Sequence, residues 1–228
     1  KMGKSLKNAI APDDICEQYG CDTLRLYEMY MGPLDQSKVW RTRDILGVHR
    51  FLQRLWRNFV DEETGQLLVR DEPADESLCR ALHKTLKRVT DAMETMSFNV
   101  AIAALIELNN KLVGRPTIPR QIAQPMILSL APIAPHICEQ FWQMMGHDQS
   151  LAYEPWPEYD PALLIEDQIE LPVQVNGKLR GRITVAADAD DTTVRQVALE
   201  DEKIRHALSG SAVRKVIVVK GRLVNVVI

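Results

Sequence analysis

The sequence predicts a mainly α-helical bundle followed by a small α+β domain of ββαββ order, and three observations carry that expectation. Between residues 41 and 151 apolar side chains recur at spacings of three and four, the period of one face of an α-helix. The following stretch, YEPWPEYDPALL, is crowded with proline, which interrupts regular helix and sheet alike. Beyond residue 168 the pattern turns to apolar–polar alternation around Asn176-Gly177. That dipeptide suits a tight hairpin, whose two central residues need positive φ. With 228 residues, 46% of them hydrophobic, the chain is long enough for one large domain or two modest ones.

Residues 1–40 read as a polar, basic loop and two short helices. Pro12 opens the first, where its missing N–H costs little, and Asp13 and Asp14 suit the positive helix end. Gly20 stops it. CDTLRLYEMYM forms the second, with Leu24, Tyr27 and Met31 on one side, and Gly32-Pro33 ends it. Residues 41–151 form the bundle. Its first helix, RTRDILGVHRFLQRLWRNF, places Ile45, Val48, Leu52, Leu55 and Phe59 on one face. A second begins near Pro73 to Asp75, with Leu78, Leu82, Leu86, Val89, Met93 and Met96 as its stripe. Ser97 is expected to cap a third, from about Phe98 to Val113, and two more share the stretch from Pro119 to Met145, broken around Pro132 and Pro135. Helices joined by short connections make a bundle.

Residues 152–167 read as an extended strap whose rings pack on the bundle. Residues 168–228 read as the ββαββ unit: a hairpin across Asn176-Gly177, one helical stretch running through Val194, Val197, Ala198, Ile204 and Leu208, then VRKVIVV and RLVNVVI as β-branched strands.

The net charge of -3 is uneven. From Gln168 onward there are ten Lys and Arg against seven Asp and Glu, leaving 18 against 24 in the rest of the chain. A basic module on an acidic body points to a polyanionic partner for the module. The apolar runs fall far short of a membrane span, and no basic-then-apolar leader opens the chain, so neither a membrane helix nor a secretory signal is expected. Cys16, Cys21, Cys79 and Cys138 are scattered, with no C-x-x-C pair and no His at zinc-site spacing. No metal site is expected, and the thiols read as small buried apolar groups of a reducing cytosol.

Three groups of residues carry candidate chemistry. Lys1 and Lys4, beside Gly3 and Ser5, can surround a triphosphate and offset charge that spreads onto phosphoryl oxygens. Arg43, Arg50, Arg54 and Arg57 fall in one narrow stripe opposite the apolar face of the first bundle helix, at about 100° per residue. Lys178, Arg180 and Arg182 alternate along a predicted strand, so they are expected to project from one face, about 6–7 Å apart. Such cations contact phosphates without reading sequence. His136 reads as a helix-start or core histidine. His49, His83, His147 and His206 converge on nothing visible.

The stretch KMGKSLKN-x(3)-PDDI-x(3)-YG-x-DTLRLY resembles the KMSKS loop of class I aminoacyl-tRNA synthetases and the helices that follow it. MYMGPL narrows the resemblance to leucyl-tRNA synthetases of bacterial type. SFNVAIAALIELNNKL, LAPIAPHICEQFW, PWPEYDPALL, VQVNGKLRGRI and VIVVKGRLVNVVI continue it in the family's order, so it covers essentially the whole chain.

The resemblance implies a class I anticodon-binding bundle over residues 41–151 and a tRNA-binding C-terminal domain over 168–228. It implies ATP-dependent activation of leucine and transfer to tRNA(Leu), in a cytoplasmic, monomeric enzyme with ATP and Mg2+ as cofactors. Lys4 and Lys1 would be the catalytic lysines at the triphosphate, with Ser5 also in the ATP loop. Gly3 departs from the family's usual serine. Lys178, Arg180 and Arg182, with Arg43, Arg50, Arg54 and Arg57, would contact tRNA. No HIGH-like motif, nucleotide-binding βαβ unit or editing domain is present in these residues, so the chain reads as a fragment, with no cofactor bound and no adenylate formed by itself. An isoleucyl, valyl or methionyl synthetase, or a stand-alone RNA-binding module, is the alternative. VNGKLRG argues against the first, KMGKS against the second.

Overall fold

A computed structural model describes Gly3 and residues 9–165, 168–187, 189–209 and 211–228. The chain divides into two compact units, Lys1–Leu164 and Ile165–Ile228.

The first unit is helical. Helix α1, Pro12–Tyr19, starts on its proline and ends at Gly20, whose φ of 87° lets α2, Cys21–Tyr30, begin at once. A short 3-10 turn, Thr42–Asp44, leads into α3, Ile45–Phe59. Helix α4, Glu76–Glu94, opens on Asp75, whose carboxylate accepts from Leu78 N–H at 2.8 Å and from Ser77 Oγ at 2.6 Å. Those bonds, together with Arg115, hold the Asp75 carboxyl down at about 2. Hydrogen bonds to the charged form are what favour it.

Helix α4 stops at Glu94, so Met96 does not continue its stripe: Met96 turns to a φ of 56° and is exposed. Helix α5, Phe98–Leu112, follows, but Ser97 does not cap it with its side chain. Its hydroxyl instead accepts from Thr95 Oγ1 at 3.2 Å. Two short parallel strands, β1 (Val69–Arg70) and β2 (Ile118–Pro119), tie the loops on either side of this pair. Helices α6, Arg120–Leu130, and α7, Pro135–Met144, complete the unit.

The core combines a stacked aromatic cluster with aliphatic packing. Phe141 stacks on Phe59 at 4.6 Å between ring centres and on Trp56 at 5.5 Å. Ile102, Leu105, Ile122 and Ile127 are fully buried along α5 and α6. Asp22, almost buried on α2, accepts from the backbone N–H groups of His136 (3.3 Å) and Ile137 (2.8 Å), and its Oδ1 lies 2.8 Å from His136 Nδ1. It therefore supplies, from another helix, the cap that α7 lacks locally. In the proline-rich stretch Trp156 donates to Thr90 Oγ1 at 2.9 Å, and Tyr159 packs against the core. Tyr153 is 86% exposed, so the expectation that the rings of this stretch pack down fails for it.

The second unit is a four-stranded mixed sheet in the order β4-β3-β6-β5. Strands β3 (Gln168–Val175) and β4 (Lys178–Ala186) form an antiparallel hairpin across Asn176 and Gly177, both at positive φ. Strand β3 runs parallel to β6 (Leu223–Val227), and β6 pairs antiparallel with β5 (Lys215–Val219). Where one helix was expected there are two, α8 (Asp191–Glu200) and α9 (Glu202–Leu208). Asp201, at ψ 129°, leaves the helical region and its carboxylate accepts from Ile204 N–H at 3.1 Å, capping the start of a separate helix. The order is thus ββααββ.

Among the described residues no helix is long and apolar enough to cross a membrane. The cysteines are not uniformly buried: Cys138 is, Cys16 and Cys79 are partly covered, and Cys21 is exposed.

Candidate nucleic-acid interface

The basic row of the helical unit stands on α3. Burial of Ile45, Val48, Leu52, Leu55 and Phe59 fixes the rotation of this helix, and an α-helix then carries every third or fourth residue to the same side. Arg50, Arg54 and Arg57 are all exposed on the side away from the core. Arg54 is held in place by Asn110 on α5, donating to its Oδ1 at 2.5 Å. One turn on, Asn58 Nδ2 donates to Asn109 O and Oδ1 at 3.1 and 2.8 Å, which clamps α3 to α5 beneath the row. No ion pair found among the described residues involves Arg50 or Arg57.

Arg43 is a correction. It lies in the Thr42–Asp44 turn and not on the helix, and its guanidinium stands 3.6 Å from the Asp44 carboxylate. The angular arithmetic that placed it in the stripe does not apply to a 3-10 turn, which has a different rise and rotation.

The basic row of the second unit is rearranged by a β-bulge. Val173 pairs with Gly181, and the next pair along is Gln174 with Leu179. One step on β3 thus matches two on β4, and Arg180 is the extra residue. Val173 and Gly181 face the helices: Val173 is fully buried, and a Cβ on Gly181 would meet Ile204 Cδ1 at 3.1 Å. Parity then puts Leu179, opposite Gln174, on the open face together with Arg182, opposite Pro172. Lys178, opposite buried Val175, falls to the other side at the hairpin end. The expectation that Lys178, Arg180 and Arg182 share one face is therefore overturned for Lys178, because the bulge resets the alternation. All three remain exposed, and Arg182 donates to Glu170 Oε2 across the hairpin at 3.1 Å. That pair is open to solvent and holds Arg182 only weakly.

Lys1, Lys4 and Ser5 lie outside the described residues. Sequence reasoning passed over a cleft of about 480 Å³ between the end of α2 and the start of α3. Tyr27, Tyr30, Lys38, Val39, Arg41 and Gly47 line it. Tyr27 shapes it by donating to Arg41 O at 2.9 Å, with Trp40 edge-on at 5.0 Å. A Lys-x-x-Arg pair next to tryptophan was the available signal, masked by the Gly-Pro that reads as a plain helix stop.

Three of the five histidines have a local partner as follows. His136 sits at the start of α7 against Asp22. His83 Nδ1 accepts from Asp160 N–H at 2.9 Å, and His147 stacks on Trp142 at 3.6 Å. No group of three His, Cys, Asp or Glu among the described residues could hold a metal ion.

A sequence model described as the anticodon-binding domain of tRNA ligase matches residues 75–196. Leucine–tRNA ligases of Mycobacterium ulcerans (strain Agy99) and Saccharopolyspora erythraea are 53% and 56% identical to this chain over 232 and 231 residues. Each match covers 100% of this chain and 24% of the relative, so the chain spans about a quarter of the length of these curated relatives. A crystal structure described as the ternary complex of Agrobacterium radiobacter K84 LeuRS with tRNA and LeuAMS is similar with a TM-score of 0.72 and 27% identity, covering 100% of this chain and 30% of that one.

Proposed function

Because the chain belongs to the family of anticodon-binding domains of tRNA ligases, we propose that it is the tRNA-holding part of a leucine–tRNA ligase, which activates leucine with ATP and transfers it to tRNA(Leu). The observation that carries this reading is likeness to leucine–tRNA ligases along the entire chain, not over one domain alone. The named relatives favour leucine over isoleucine, valine or methionine.

Within that reading the chain's own residues divide the work. Arg50, Arg54 and Arg57 meet the RNA backbone on a helix whose rotation is fixed by its core, and Arg43 extends that surface from the preceding turn. Arg182 meets it from the open face of the sheet and Arg180 from the bulge, while Lys178 reaches the ligand from the hairpin tip. Phosphate contacts of this kind set position and orientation and leave sequence to other contacts. In the lysine loop, the Lys4 ammonium offsets charge on the triphosphate as pyrophosphate leaves, and Lys1 assists. Ser5 belongs to the same ATP loop. The Mg2+ expected with ATP finds no ligand cluster among the described residues. A cytoplasmic, monomeric enzyme completes the proposal.

Filter binding of this chain to leucine and non-leucine tRNA transcripts over a salt series tests the reading. The wild type is expected to bind with a steep salt dependence. Arg50→Glu with Arg57→Glu should weaken binding and lower the slope of log K against log salt by about 0.7–0.9 for each lost phosphate contact. An unchanged slope removes α3 from the interface. Failure of the full-length protein to leucylate any tRNA would overturn the assignment itself.

A further inference from the structure

The cleft between α2 and α3 gathers two cations and an open aromatic ring that the basic rows leave unused. Its floor is fixed. Tyr27 is buried, and its hydroxyl both donates to Arg41 O at 2.9 Å and accepts from Arg41 N–H at 3.2 Å. Beside it Trp40 Nε1–H donates to Thr42 Oγ1 at 3.0 Å. These bonds hold the backbone that carries Arg41. Lys38 lies along Gly32, where an added Cβ would meet Lys38 Cε at 3.8 Å. No ion pair found among the described residues engages Lys38 or Arg41. Tyr30, the last residue of α2, is 41% exposed on the cleft wall and has no ring partner among the described residues.

Gly47 marks the opposite wall. It stands in the first turn of α3, where glycine weakens a helix. Neither backbone nor packing calls for it: its φ is not in the positive range, and a Cβ would meet nothing within 4 Å. What the missing side chain does provide is room. At about 480 Å³ the cleft falls within the roughly 300–1,000 Å³ of small-ligand sites.

We propose that this cleft binds a ribonucleoside monophosphate unit, either free or as an unpaired residue of RNA. The base stacks on Tyr30, since every base offers a π-face to an aromatic side chain. The phosphate meets Lys38 and Arg41, whose N–H groups only donate. Asp44 adds a carboxylate to the wall, an acceptor for ribose hydroxyls or a base amino group. Two cations against one carboxylate leave the cleft positive, as a phosphate requires. None of its lining residues belongs to the lysine loop. The site rests on the tRNA reading only where RNA is the source.

Two photoreactive probes test the site: azido-adenosine monophosphate, and a tRNA(Leu) transcript carrying the same azido base. Each is irradiated with the native chain, digested with trypsin and mapped by mass spectrometry. Cleavage after Arg25 and Lys38 isolates Tyr30 on peptide 26–38, where the adduct is expected. Adenosine monophosphate should compete about tenfold better than adenosine, the gain from charge-assisted bonds to phosphate. Lys38→Ala with Arg41→Ala should abolish that preference. Gly47→Met should abolish the adduct by filling the cleft, while the urea midpoint stays at or above that of the wild type. An undiminished adduct in Gly47→Met, or labelling spread evenly along the chain, would overturn the proposal. An adduct from the transcript identifies RNA as the source, and one from the mononucleotide alone identifies a free nucleotide. If neither probe labels this peptide while filters still retain the transcript, the cleft site fails and the tRNA reading stands. If the transcript is not retained but the mononucleotide labels, the reading fails and the cleft site stands.

Discussion

The helical unit and the α+β unit carry their basic rows on different kinds of backbone and over different kinds of core. Among the described residues, 37 buried apolar side chains form the continuous core of the helical unit, and 11 form that of the α+β unit, all on one face of its sheet. Helix α3 is held by burial of one face and by Asn58 and Arg54 reaching α5, so its exposed row cannot rotate without emptying the core. Strand β4 is held by its ladder to β3, and one unpaired residue there moves every later side chain to the opposite face. A surface row on a helix is thus set by a face a hundred degrees wide, and one on a strand by parity alone.

The comparison breaks most readily at the larger core. Phe141→Ala removes the ring that joins Phe59 and Trp56 and should cost about 3–5 kcal/mol, read as a lower urea midpoint by circular dichroism. Amide exchange in β3 and β6 should stay unchanged, and equal loss of protection there would mean that the two units unfold together. Asp22→Ala leaves the start of α7 without its cap from α2, for about 2–3 kcal/mol, with early exchange confined to the first turn of α7. Gly181→Val drives a side chain against Ile204 and should cost the α+β unit about 1–3 kcal/mol. If that variant is as stable as the wild type, the helices do not close on the bulge as described. Arg182→Glu should weaken tRNA binding more than Lys178→Glu, because the bulge separates them. Equal effects would restore a common face.

The smallest expected effect is acid-linked. The Asp75 carboxyl, held at about 2 against an ordinary 3.8, contributes stability that is complete above 3.8 and is lost as pH falls from there towards 2. Asp75→Asn should flatten the acid limb of the stability profile of the helical unit over that window. An acid limb unchanged by the substitution would show that Asp75 gains nothing from its partners.

Much of the helical unit was legible in residue order because its signals are local and redundant. Pro12, Gly20, Asp75 and the Pro132–Pro135 break each mark a boundary, and each helix repeats its apolar spacing several times over. The turn at Asn176 and Gly177 was legible for the same reason: both residues adopt the positive φ the pair suits. The misreadings share a cause. Met96, Ser97 and Arg43 sit just past or before a helix end, where periodicity has nothing to average over. The split at Asp201 was hidden because Val194, Val197, Ile204 and Leu208 keep a helical spacing across it. The cleft lined by Lys38 and Arg41 went unseen because its walls come from α2, a loop and α3 together.

Periodicity, turn chemistry and motif order by themselves determined that a helical unit precedes a small α+β unit, and that cations stand on α3 and in the first hairpin. They determined the likeness to leucyl-tRNA synthetases as well. Only the tertiary structure decided which of those cations share a face and that Asp22 caps a helix more than a hundred residues away. Helical spacing is a property of consecutive residues, whereas strand register and caps from another helix depend on which partner the backbone brings alongside.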